Sequence, residues 1–163
     1  MDAGQAAFIM LPDSIAAATG RFVSAASVAT VANDTTYTLT VAVGDRSDAA
    51  DPVDVIIELL VNGNPVASAT TSGAALADGT FTDLAASFTT SASDPLAGGL
   101  LTIRLTHSKT AVDPATLPYV SFDNVRLDTV FMAPEPASAA LLCLGGLGLL
   151  AWHAQKRLRR SFA

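Results

Sequence analysis

The chain has 163 residues, enough for one domain and an appendage; half of them are hydrophobic and the formal charge is −6. All fifteen acidic residues lie at or before Glu135, whereas four of the nine basic ones, Lys156, Arg157, Arg159 and Arg160, crowd the end. The acidic body speaks against a nucleic-acid partner, whose phosphates need a basic surface, and the single cysteine, Cys143, excludes an internal disulfide.

In chain order, the opening MDAGQAAFIMLPDSIAAATG has no basic segment, and its apolar stretch spans only 6–11, so it does not read as an export signal. Residues 37–43 (YTLTVAV) alternate, with Tyr37, Leu39, Val41 and Val43 on one face and Thr38 and Thr40 on the other. Residues 53–61 (VDVIIELLV) put Val53, Val55, Ile57, Leu59 and Val61 on one face; Ile56 and Leu60 make the other face partly apolar, so this strand should be partly covered on both sides. Between these strands Asp45, Asp48, Asp51 and Asp54 recur every three residues. They lack the turn glycine and closing glutamate of an EF-hand, and read as a solvated loop. Asn62-Gly63 predicts a tight hairpin, because both residues accept positive φ, with a return strand over 66–70.

Further strands are expected around Leu84, Ala86 and Phe88, and around Leu101, Ile103 and Leu105. His107, alone outside the tail, is assigned to a surface strand end. In the last strand Val120 and Phe122 occupy even positions, but Val125 and Leu127 odd ones. A period of two cannot serve both pairs without an extra residue, which predicts a bulge at Asp123-Asn124. The expected body is all-β, an antiparallel sandwich of the jelly-roll kind, with no helix before residue 137. It carries no GxSxG, no phosphate-binding loop and no histidine cluster, and is therefore expected to be non-catalytic.

The tail has a different character. Residues 137–154 (ASAALLCLGGLGLLAWHA) contain no charge. Such a helix spans roughly 27 Å, close to a hydrocarbon core. Trp152 suits the interface, and Lys156, Arg157, Arg159 and Arg160 would hold the end on the cytoplasmic side, leaving the body outside. The expected division is a sandwich over 1–130, a linker over 131–136, a transmembrane helix over 137–154 and a basic tail over 155–163.

The order Pro134-Glu135-Pro136, apolar helix, arginine cluster, chain end resembles the PEP-CTERM sorting signal of Gram-negative bacteria. That resemblance implies Pro134, Glu135 and Pro136 as the recognition residues for exosortase. It also implies an inner-membrane precursor and a mature form at the cell surface or in the extracellular matrix. VSFDNVRL, TTYTLTVAVGDR and LLVNGNPVASAT resemble strands of galactose-binding-like jelly rolls, the carbohydrate-binding-module type. This second resemblance implies Asp123 as one ligand of a structural calcium ion, with a carboxylate capping the bulge as the competing reading. It also implies that a first strand is missing before DAGQAAFIML. A glycan site would stack sugar rings on exposed aromatics, and Tyr119, after Pro118, is the candidate platform. The expected functions are a non-enzymatic surface or matrix protein or, as the alternative, a module binding extracellular polysaccharide.

Overall fold

The computed structural model describes residues 6–12, 17–48, 54–109 and 118–132, all within one compact unit ending at Met132. Nine strands are described; the six from residue 35 onward lie where the alternation predicts them, and the three before it are not singled out by that pattern. The nine are β1 (Ala7–Met10), β2 (Ala18–Val23), β3 (Ala29–Thr30), β4 (Thr35–Gly44), β5 (Asp54–Val61), β6 (Asn64–Thr71), β7 (Phe81–Thr89), β8 (Leu100–Lys109) and β9 (Tyr119–Phe131). Among the described residues the only helical turn is the three-residue 3-10 segment Gly73–Ala75.

The strands form two antiparallel sheets. One has the order β1-β9-β4-β7; the other has the order β2-β8-β5-β6, with β3 also on β8. Their inner faces meet in a core that includes Leu39, Val41 and Val43 of β4, Val55, Ile57 and Leu59 of β5, and Val120 and Phe122 of β9. Tyr37 joins this core; its hydroxyl receives the Ala32 N–H at 2.8 Å, and its ring stacks on Phe88 at 5.0 Å. A phenol can be buried there because its polar end has a partner. Outward-facing positions of β4 and β7 pair hydroxyls across the ladder, Thr36 with Thr89 and Thr38 with Ser87, each at 2.9 Å.

β5 is covered on one side and partly on the other, as its composition predicts. Leu60 is buried, and on that second face Glu58 forms a bidentate pair with Arg104 of β8 at 2.5 and 2.7 Å. The Asn62-Gly63 turn has φ of 51° and 82°, the doubly positive pair that suits a two-residue hairpin.

Two sequence expectations are corrected. His107 is not at a surface strand end: it faces inward on β8, opposite Gly20 of β2, with no solvent exposure. The strand continues to Lys109, so the histidine falls on the inner row begun by Leu101, Ile103 and Leu105. Asp45 is buried rather than solvated, its backbone tied to Thr80 and Gly79, whereas Asp48 stays exposed and pairs with Arg46. The 137–154 segment and the basic tail lie outside the described residues; no helix among the described residues is long and apolar enough to cross a membrane.

Candidate functional site

The bulge expected in the last strand is present, and it shapes the site. Thr40 pairs with Arg126 and Ala42 with Asp123, so two residues of β9, Asn124 and Val125, oppose Val41 alone. Asn124 takes φ of 48°, a left-handed conformation that asparagine tolerates better than most residues. Its N–H is received by its neighbour's carboxylate, Asp123 Oδ1, at 2.7 Å. The extra residue resets the alternation. Val120 and Phe122 face inward before it, and Val125, Leu127 and Thr129 face inward after it.

The reset half of β9 forms one wall of a cleft of about 680 Å³ between the two sheets. The facing wall comes from Phe22 and Val23 of β2, Ser24, Val28 and Ala29 beyond it, and Ile103 and Leu105 of β8. Two features open this space. Among the described residues β1 pairs only with 119–122 of β9, leaving the rest of that edge uncovered. Opposite, the chain from Ala18 to Thr30 follows β8 from Lys109 to Leu100 with residues in excess, and Ser24 and Val28 span the gap by bonding to Ile103 and Leu101. Phe22 meets Phe122 edge-on at 6.4 Å across the sheets.

The cleft is almost wholly apolar. Eight of its ten described lining residues are hydrophobic, and the remaining two, Ser24 and Thr129, carry hydroxyls. Phe22 and Val125 keep 40 % and 46 % of their surface accessible. A concave apolar space within the roughly 300–1,000 Å³ range of small-molecule sites is the usual form of a ligand pocket.

Next to this cleft, on the same inner row of β8, His107 Nδ1 bonds to the Ile9 carbonyl at 3.3 Å. That contact places the proton on Nδ1 and leaves Nε2 as a bare acceptor, which has no partner among the described residues. Burial lowers its pKa from 6.5, against the raising effect of the Ile9 bond.

The residues singled out from sequence are dispersed. Asp123 is half-buried on the outer face, with Oδ1 engaged by Asn124. Among the described residues no group of three or more His, Cys, Asp or Glu side chains gathers around it or elsewhere. The arrangement seen at Asp123 is thus the carboxylate cap on the bulge. Tyr119 also points outward; Phe8 stacks on it at 4.9 Å and the Arg46 guanidinium lies over its ring at 4.7 Å, so neighbours already occupy this platform. Pro134, Glu135, Pro136, Trp152, Lys156, Arg157, Arg159 and Arg160 lie outside the described residues. Sequence reasoning missed the cleft because it sought polar motifs. The one signal available was the parity change in β9, which announced a bulge without showing what the bulge would face.

A family model described as HpiC1 cyclase, HpiC1-like, matches residues 1–128. No curated protein matches the chain. Among solved structures, a cyclase from Fischerella sp. TAU is similar at 23 % identity and a TM-score of 0.59, over 79 % of this chain and 65 % of that one. The same cyclase in complex with 4-(1H-indol-3-yl)butan-2-one aligns at 23 % identity and 0.58, with the same coverage. A Stig cyclase, Fisc, from the same organism, in complex with (3Z)-3-(1-methyl-2-pyrrolidinylidene)-3H-indole, aligns at 23 % and 0.58, over 77 % and 62 %. The chain thus spans 65 % of the length of the first of these, and at such identity the likeness shows the fold.

These matches overturn several expectations. The family match across the body replaces the reading as a PEP-CTERM surface or matrix protein, and the comparisons lend that sorting signal no support. The resemblance to galactose-binding-like carbohydrate modules gives way in the same manner, because strand patterns are common to many sandwiches and do not discriminate among them. The expected partners, exosortase and extracellular polysaccharide, fall with those readings, and so does the expectation of a non-catalytic body.

Proposed function

The chain belongs to the HpiC1-like cyclase family, and on that premise we propose that it closes a ring in a small, largely apolar substrate held in the cleft between its two sheets. The observation that carries this reading is the cleft itself, about 680 Å³ and walled by eight hydrophobic residues. Ring closure within one molecule depends on folding a flexible chain so that its reacting atoms meet. A shaped apolar wall supplies that positioning, which can account for several kcal/mol of barrier. Phe22, braced edge-on by Phe122, adds a ring that favours a planar or transiently cationic substrate. The indole compounds held by the solved cyclases support an indole-bearing substrate class.

A filling substitution tests the reading. Ala29 is a small residue in the wall, so Ala29→Phe occupies the space the substrate needs. Wild-type protein is expected to bind 4-(1H-indol-3-yl)butan-2-one by calorimetry, and Ala29→Phe to lose that binding with its melting temperature little changed. Binding that survives in Ala29→Phe refutes the cleft as the site. Turnover of an indole with an unsaturated side chain would appear as an isomer of unchanged mass with one double bond fewer.

The order in which the chain alternates between the sheets supports the finer reading of the sandwich as a jelly roll. The charge-free run over 137–154 and the basic residues after it support a single membrane-spanning helix, with the sandwich on the extracytoplasmic side.

A further inference from the structure

The cleft's polar groups are few enough to assign a ligand feature to one of them. Ser24 follows the last residue of β2, and its backbone N–H donates to the Ile103 carbonyl at 3.0 Å. Its side-chain Oγ in turn accepts the Ile103 N–H at 3.2 Å. The first bond fixes the backbone and the second the side chain. Oγ is thus engaged as an acceptor, and among the described residues no acceptor takes its proton, on a half-buried side chain lining the cleft. Thr129, the other hydroxyl lining the cleft, is exposed. Among the described residues no ionisable side chain lines the cleft.

We infer that Ser24 is a specificity-determining residue: its hydroxyl donates to a single acceptor atom, a carbonyl oxygen or an imine nitrogen, on a neutral ligand whose remaining surface is apolar. The inference rests on the cleft being the substrate site. An ionised ligand is excluded, because its charge would be stripped of water against hydrophobic walls with no counter-charge. A pure hydrocarbon fits but leaves the Ser24 proton unpartnered; a ligand with one acceptor satisfies it. The donor is held by backbone geometry, so orienting it costs little conformational entropy on binding.

The test compares two neutral ligands of similar shape, benzylacetone with its ketone and butylbenzene without it, on the full chain as wild type, Ser24→Ala and Ser24→Thr. Titration followed by NMR reads both affinities. In the wild type, benzylacetone should bind more tightly than butylbenzene. Ser24→Ala should weaken benzylacetone about five- to tenfold, the scale of one neutral hydrogen bond, and leave butylbenzene unchanged. Ser24→Thr, which keeps the hydroxyl, should retain the preference for the ketone. Equal weakening of both ligands in Ser24→Ala would reduce Ser24 to a structural tie between β2 and β8 and overturn the inference, as would no weakening of either, while the cleft reading stands. Failure of both ligands to bind the wild type would overturn the cleft reading and this inference together.

Discussion

His107 is fully buried, with one ring nitrogen bonded to Ile9 and the other without a partner among the described residues. Its protonated form would need a second acceptor in the core, and the described residues supply none. The folded chain therefore holds a neutral imidazole with a pKa below 6.5, while the unfolded chain protonates near that value. In that window the unfolded state binds more protons, so the stabilising contribution is complete above pH 6.5 and is lost as pH falls through the folded value. Glu58 acts in the same direction further down: the Arg104 guanidinium lowers its pKa from 4.5, and its contribution is lost as pH falls below that value. Melting temperatures of the wild type should therefore decline from pH 6.5 to 4.5 and continue to decline below it. In His107→Leu the decline above 4.5 should flatten, while the lower one persists. An unchanged upper decline in that variant would refute the assignment to His107. Gly20 explains how the imidazole fits beside β1: a Cβ there would collide with Ile9 Cγ2, whose backbone carbonyl is the histidine's partner.

At the scale of an element, β9 is two half-strands of opposite parity joined at Asn124. The first half packs Val120 and Phe122 into the core, and the second presents Val125, Leu127 and Thr129 to the cleft. Asn124→Val places a β-branched residue at positive φ and should cost about 1–2 kcal/mol, read as a lower urea midpoint. Inserting an alanine after Asn124 should do more. The alternation would slip by one, sending Arg126 and Asp128 inward and the three wall residues outward. Loss of ligand binding in the insertion variant, with near-normal affinity in Asn124→Gly, is the expected pair of results from titration calorimetry. Retained binding in the insertion variant would show that the wall does not depend on the parity set at the bulge.

For the whole molecule, the described body and the family match both end before Ala133, at Met132 and residue 128. The chain shortened to 1–132 should therefore unfold cooperatively and bind ligand as the full chain does. If 137–154 spans a membrane, the same shortening should release the protein from the membrane pellet after alkaline extraction, while the full chain stays there. A full chain that extracts into the supernatant would remove the membrane proposal and leave the cleft untouched.

The residue pattern alone determined the strands from β4 onward, the Asn62-Gly63 hairpin, the partial double coverage of β5, the burial of Tyr37 and the bulge in β9. Each follows from a period of two or from a residue's permitted φ, which are properties of neighbours in the chain. The tertiary structure decided which faces meet. Leu105 and Leu127 lie on strands of different sheets, and only their approach, together with the uncovered edge of β9, makes a cleft. A cleft of aliphatic side chains reads in sequence like any core strand, because its walls and a packed interior use the same residues. For the same reason His107 was legible as a strand residue but not as a buried one. Its row faces inward only because the second sheet turns that face toward β1 and β9.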